Sequence, residues 1–212
     1  MTTPSSAEAD RAFRLTIYGI AAMVMAILAG ETLYGLALGS RFLIRDGLEW
    51  IYDVLIYGLT ALAFGRGKRV ERWAAVGVAG VLAAAGVETA AQIIWTFFDP
   101  PDVEPFGIGV SGALTIAESV LVAGVLWRFR NVGNVAMEAV WLSARNDVLS
   151  STLSALVTIV ARLAPMSWPQ MAVDAFGGCL CFQAAWVIVR ETRLEARREA
   201  GDGALDKHPD SA

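Results

Sequence analysis

Six apolar segments, each about 20 residues or longer, follow one another along this chain with only short polar stretches between them. A helix of about 20 apolar residues crosses the roughly 30 Å hydrocarbon core of a bilayer. Hydrophobic residues make up 56% of the 212-residue chain, above the roughly 45–50% of soluble domains. The sequence therefore predicts an all-α integral membrane protein, a six-transmembrane-helix bundle. The predicted spans are 13–38, 43–64, 73–98, 106–129, 135–163 and 168–189.

The predicted membrane domain, 13–190, lies between two polar ends. Residues 1–12 form an N-terminal tail without a basic region ahead of a short apolar core, so we expect no cleaved signal peptide. Residues 191–212 form a charged tail of low apolarity. Between the third and fourth spans, the proline-rich stretch 99–105 cannot continue a helix. We therefore expect short loops and no soluble domain between spans.

The basic residues divide unequally between the two sets of loops. One set includes the clusters at 66–72 and 190–198, whereas the other holds Arg41, Arg45 and Arg162. Loops rich in lysine and arginine remain in the cytoplasm. The sequence therefore predicts that both termini are cytoplasmic, in a plasma or inner membrane.

Two of the predicted spans carry polar residues at helical spacing. An ionisable side chain inside a membrane is costly and usually marks a functional site. In the second span, Asp46, Glu49 and Asp53 are three and four residues apart, so a continuous helix would place them on one stripe. In the fifth span, Ser143 and Asp147 are four residues apart and would again share one face. Two such helices could share one cation.

Further acids lie inside the predicted spans: Glu31, Glu88, Glu118, Glu138 and Asp174. Glu31 and Asp174 have a structural explanation in their positions near span ends, and Glu88 and Glu118 have one in a protonated carboxyl group hydrogen-bonded between helices. The one arginine predicted at comparable depth, Arg145, cannot neutralise so many carboxylates. Some of the acids must therefore be protonated, hydrated or paired with an exogenous cation.

At these spans the sequence resembles the cation diffusion facilitator transporters. The stretch 39–53 resembles their second span, with Gly-Ser at its start and Asp-Gly-Leu-Glu followed by Asp at its end. The stretch 145–151, Arg-Asn-Asp-Val-Leu-Ser-Ser, resembles their fifth span. Trp168 and Pro169, followed by Asp174, are similar to the opening of the sixth. The resemblance covers nearly the whole predicted membrane domain.

The resemblance implies a proton-coupled exporter of divalent transition-metal ions that works by alternating access. It implies a metal site built from two residues of the second span, Glu49 and Asp53, and two of the fifth, Ser143 and Asp147. Glu49 and Ser143 stand where this family usually has aspartate or histidine, and a neutral hydroxyl is a poor ligand. An all-oxygen set suits Mn²⁺ or Fe²⁺, and Zn²⁺ completed by water is the alternative.

Several further expectations follow from the same sequence. Glu118 and Glu138 are candidates to complete the site if Ser143 does not bind the ion. Metal ion and protons are the expected substrates, and we expect no bound cofactor, no enzymatic activity and no nucleic-acid partner. The family's cytoplasmic C-terminal domain is expected to be missing. A homodimer would then form through membrane helices, and the small residues of 76–86 permit close packing.

The alternative function comes from another class. A non-transporting membrane scaffold or partner subunit would retain the helix bundle while its metal site is degenerate. The serine at position 143 and the missing terminal domain both favour this alternative.

Overall fold

The computed structural model of the chain describes residues 6–98, 105–130, 135–163 and 168–205. The helices are α1 (Ser6–Leu38), α2 (Arg41–Glu49), α3 (Ile51–Ala63), α4 (Lys68–Phe98), α5 (Pro105–Leu126), α6 (Val135–Leu163) and α7 (Trp168–Leu205), with a 3-10 turn at Trp127–Phe129. These four ranges contain no β-strand, so the all-α prediction is confirmed. Most of the predicted proline-rich breaker and the extreme ends of both tails lie outside the described residues.

Three helical segments of the described chain are long and apolar enough to cross a membrane: Asp10–Leu38, Lys68–Phe98 and Ser111–Phe129. The outer surface carries many large apolar side chains, and Trp95 and Phe98 are 71% and 78% exposed. Soluble monomers rarely present so much apolar surface, whereas a protein in contact with lipid does so along its whole perimeter. Helix length and surface composition thus both indicate a membrane protein.

The second predicted span is not one continuous helix. The structure ends α2 at Glu49 and begins α3 at Ile51, with Trp50 between them. Trp50 is only 6% exposed, and its indole N–H donates to Oε2 of Glu31 on α1 at 2.7 Å. The predicted span 43–64 therefore consists of two successive helices that join at Trp50. The junction is anchored by a contact with another helix, which hydropathy does not report.

A tight turn folds α2 back against α1. Gly39 has a φ of 67°, a left-handed conformation that glycine adopts without a steric penalty. The N–H of Gly39 donates to the carbonyl of Leu36 at 3.3 Å, and the N–H of Ser40 donates to that of Gly35 at 3.0 Å. This pair of bonds forms a Schellman motif that ends α1. The Ser40 hydroxyl then accepts from the N–H of Leu43 at 3.1 Å and caps α2.

The α1–α2 interface also depends on glycine. A Cβ atom added to Gly47 would lie 2.6 Å from Oγ1 and 2.8 Å from the backbone nitrogen of Thr32. A Cβ added to Gly35 would lie 2.8 Å from the backbone nitrogen of Ile44. Small residues of this kind permit close backbone approach between membrane helices.

One end of the bundle is held together by aromatic and ionic contacts. The ring of Phe13 lies 4.6 Å from that of Phe64 and 5.0 Å from that of Phe129, measured between centroids. These contacts bring the start of α1 to the ends of α3 and α5. Nearby, Arg72 at the start of α4 pairs with Glu195 late in α7 at 3.9 Å. The helices that carry the two main basic clusters therefore meet at this end.

The interior is formed where the later helices pack against α3. Helix α4 packs along α7, and α6 contacts α3, α4, α5 and α7. Helix α1 packs against α2 and α3. Side chains from α3, α5 and α6 therefore project into one shared region.

Candidate cation site

Three acids from three helices lie in this shared region: Asp53 of α3, Glu118 of α5 and Asp147 of α6, here called the three-acid cluster. Asp147 interacts electrostatically with both Asp53 and Glu118, and Glu118 interacts with Asp53. Glu118 is 6% exposed, and the two aspartates are half-buried. The structure thus brings together two predicted ligands and one of the two acids considered as a substitute ligand.

Hydrogen bonds beside these acids connect the helices that carry them. Ser119, which follows the α5 acid in sequence, lies 2.9 Å from the hydroxyl of Ser151 on α6. Asn146, which precedes the α6 acid, donates through Nδ2 to the carbonyl of Leu180 on α7 at 3.0 Å. Such bonds between helices limit how far α5, α6 and α7 can separate in this region.

Two further polar side chains face the cluster. Tyr57 lies one helical turn after Asp53, is 1% exposed, and interacts electrostatically with all three acids. Cys181 of α7 is half-buried and interacts with Asp147 and Asp53. The three acids therefore act electrostatically on a phenol and on a thiol.

Within the described ranges, no lysine or arginine forms an ion pair with any member of the three-acid cluster. Arg145 instead donates through Nη2 to Oδ1 of its neighbour Asn146 at 3.1 Å. Oε1 of Glu118 and Oγ of Ser143 are buried and have no hydrogen-bond partner among the described residues. Buried carboxylates without a countercharge are too costly to persist unless a proton or a cation compensates them.

The described residues do not contain a closed coordination shell. No group of three or more histidine, cysteine, aspartate or glutamate side chains among them stands close enough to hold a metal ion. Ser143 lies one turn before Asp147 and is 1% exposed. Glu138 is part of α6, but its side chain lies outside what the structure describes. The three acids therefore act on one another through space.

Glu49, the fourth predicted ligand, belongs to a different polar group. Its Oε1 accepts from Nε of Arg45 at 3.3 Å and from Nε2 of Gln92 at 3.1 Å. Glu88 of α4 completes this group and accepts from the hydroxyl of Tyr52. Glu49 and Glu88 line an open cavity of about 390 Å³ beside α2. The hydrogen bonds of Glu49 thus join it to this cavity rather than to the three-acid cluster.

A second buried network was not predicted from the sequence. Glu31 of α1 is 5% exposed and accepts from Trp50, while Asp46 of α2 accepts from the hydroxyl of Ser111 on α5. The carboxyl groups of Glu31 and Asp46 also interact electrostatically with each other. Both acids were noted in the sequence, but no spacing rule joins residues on different helices.

No protein-family model matches the chain, and the sequences of curated proteins show no match to it either. The assignment of a function therefore depends on the residues of the chain itself.

Proposed function

We propose that the protein is a membrane transporter of divalent transition-metal cations that exports its substrate from the cytoplasm in exchange for protons. The observation that carries this proposal is the three-acid cluster, in which Asp53, Glu118 and Asp147 interact electrostatically without a described countercharge. A membrane protein retains such a set at high cost, and a cation or protons must compensate it. The resemblance to cation diffusion facilitators supports the same assignment.

Asp53 and Asp147 are the core of the proposed site, because they come from the two helices that the resemblance designates. Glu118 is the better candidate for the third carboxylate, since it interacts with both aspartates. Glu49, by contrast, is already paired with Arg45. A site of carboxylate oxygens suits Mn²⁺ or Fe²⁺, and Zn²⁺ remains the alternative substrate.

The proposed mechanism links ion binding to proton release. Carboxylates must be deprotonated to bind a metal ion, so protons and metal compete for the same oxygens. Closing the three acids around an ion requires α3, α5 and α6 to approach one another. Movement of one group of helices against another is also how transporters alternate between their two open states. Protons entering from the opposite side would then release the ion.

The proposed topology has six crossings, formed by α1, the α2–α3 pair, α4, α5, α6 and α7. Support comes from the contacts at one end of the bundle, where Phe13 meets Phe64 and Phe129. The basic clusters at 66–72 and 190–198 belong to helices that meet at this end. By the positive-inside rule, this end of the bundle faces the cytoplasm. Both termini are then cytoplasmic, in a plasma or inner membrane.

Calorimetry on the purified protein with Mn²⁺, Fe²⁺, Zn²⁺ and Cd²⁺ tests the proposal. We expect saturable binding that Asp147→Asn and Asp53→Asn weaken at least tenfold, with circular dichroism unchanged. Glu49→Gln is the matched control, because it removes a carboxylate from a neighbouring part of the bundle. Absence of binding to all four ions would contradict the proposal. A loss of metal affinity in Glu49→Gln as large as that in the aspartate variants would contradict the assignment of ligands.

The serine at position 143, whose neutral hydroxyl is a poor metal ligand, favours a second candidate function. In this alternative, the protein is a non-transporting scaffold or partner subunit, and the acids are protonated structural groups. Asp53→Asn and Asp147→Asn would then change thermal stability without a metal phenotype. Metal flux into proteoliposomes that contain the wild-type protein, and its loss in both variants, would exclude the scaffold function.

A further inference from the structure

One unassigned feature lies on the outer face of α7, at the point where its apolar stretch ends. Residues 186–189 are all apolar, and the basic run 190–198 follows them directly. The inner face of the helix is marked by Ile188 and Thr192, which are 2% and 4% exposed, and by Glu195, which pairs with Arg72 of α4. Trp186, on the outer face, is 67% exposed. This outer face therefore points away from the described bundle.

An open groove of about 150 Å³ lies on this outer face of α7. It is lined by Trp186, Val189, Arg190, Arg193, Leu194 and Arg197. The three arginines are three and four residues apart, so the helix places them on one stripe. Trp186 and Val189 precede them in the helix. The groove thus combines an apolar end with three guanidinium groups.

The three arginines of the groove are exposed and carry a positive charge that no acid offsets. Within the described ranges, none of them forms an ion pair, and no aspartate or glutamate lines the groove. A guanidinium group keeps its charge in proteins and presents only hydrogen-bond donors. The groove is therefore suited to an anion that accepts hydrogen bonds.

The position of the groove narrows the choice of anion. Guanidinium groups bind phosphate through paired hydrogen bonds. Tryptophan is enriched at the headgroup level of membranes, and basic pockets at the cytoplasmic face of membrane proteins bind phosphorylated headgroups. A ligand with a phosphate group next to an apolar portion would use both parts of the groove.

We propose that this groove binds an anionic phospholipid from the leaflet at this end of the bundle. The headgroup phosphate lies against Arg190, Arg193 and Arg197, and the apolar part of the lipid lies against Trp186 and Val189. The proposed topology makes this the cytoplasmic leaflet. The lipid site does not depend on the proposed cation transport, because no residue of the groove belongs to the three-acid cluster.

A lipid fits the groove better than a soluble anion does. The volume corresponds to roughly five water molecules, which is enough for a headgroup phosphate but small for a folded partner. Free phosphate would use the arginines and leave Trp186 and Val189 without a contact. An anionic lipid in the same membrane is also held at this depth by its own acyl chains.

Native mass spectrometry of the full chain in detergent micelles, titrated with phosphatidylglycerol, tests the proposal. Phosphatidylcholine, which has no net charge, is the comparison lipid. The test variants are Arg193→Gln and a combined variant with Arg190→Gln, Arg193→Gln and Arg197→Gln. Arg198→Gln is the matched control, because Arg198 is exposed on the same helix but does not line the groove. All four arginines are exposed, so the fold should survive.

We expect phosphatidylglycerol to bind more tightly than phosphatidylcholine. Each arginine near a membrane surface contributes about fivefold to the binding of anionic lipid, so Arg193→Gln should weaken binding about fivefold and the combined variant about a hundredfold. Arg198→Gln should bind as wild type does. Equal weakening in Arg193→Gln and Arg198→Gln would show a diffuse charge effect and overturn the site, as would equal binding of the two lipids.

Two further measurements separate a lipid from a free phosphate group. Trp186→Ala should weaken the binding of phosphatidylglycerol, because the lipid loses its apolar contact, and an unchanged affinity would overturn the lipid assignment. A ligand that binds the native state raises the melting temperature. Phosphatidylglycerol should therefore stabilise the protein against heat, whereas inorganic phosphate at the same concentration should not. Equal stabilisation by both would indicate a general phosphate site and overturn the proposal.

Discussion

The indole nitrogen of Trp50 lies 2.7 Å from Oε2 of Glu31, and this buried hydrogen bond joins the α2–α3 junction to α1. A hydrogen bond to a charged group contributes about 1.5–3 kcal/mol, and removing one partner leaves the other unsatisfied. The bond therefore fixes the position of the junction relative to the rest of the bundle. Because Asp53 follows Trp50 in α3, the same bond helps to position the three-acid cluster.

Glu31→Ala should lower the free energy of unfolding by about 1–3 kcal/mol, because the buried indole N–H of Trp50 loses its acceptor. Glu31→Gln keeps an acceptor oxygen and should cost less. Thermal unfolding in detergent, followed by circular dichroism, measures the difference. Equal stability of Glu31→Ala and wild type would show that this hydrogen bond contributes little.

Gly47→Ala should destabilise the protein by about 1–3 kcal/mol, because its Cβ would lie 2.8 Å from the backbone nitrogen of Thr32 and force α2 away from α1. Gly80→Ala is the matched control, since a Cβ there meets nothing within 4 Å. As alanine favours helix over glycine, this control should gain up to about 1 kcal/mol. The two substitutions should thus have opposite signs in the same unfolding assay.

Phe13→Ala should cost about 3 kcal/mol, because this fully buried ring packs against Phe64 and Phe129 and its removal leaves a cavity. Leu15→Ala, two residues along the same helix, is the control because Leu15 is 65% exposed. Unfolding in mixed micelles compares the two variants. A similar loss in both would indicate that α1 does not pack at this end as described.

Metal affinity should fall as pH falls, because the carboxylates of Asp53 and Asp147 must lose their protons before they bind an ion. Calorimetry in two buffers of different ionisation enthalpy reports the number of protons released on binding. We expect the wild-type protein to release protons when it binds metal, and Asp147→Asn to release fewer. Binding that is tight and independent of pH would contradict competition between protons and metal.

Much of the fold follows from hydropathy and local chemistry. Apolar stretches of membrane-spanning length predict the helices, and Gly39 and Ser40 provide the cap that separates α1 from α2. The candidate site is only partly predictable in this way. Helical spacing relates Asp53 to other residues of its own span, but it does not report that Glu118 interacts electrostatically with both aspartates.

What the sequence determined by itself is the all-α class, the long apolar helices and the presence of acids within them, because these depend on the order of residues along the chain. Only the tertiary structure decided which acids meet. Glu49 accepts a hydrogen bond from Gln92, whereas Asp53 interacts electrostatically with Asp147. Yet Glu49 and Asp53 lie only one helical turn apart in sequence. The physical reason is that contacts between distant helices depend on how the helices pack and carry no periodic signal in the sequence.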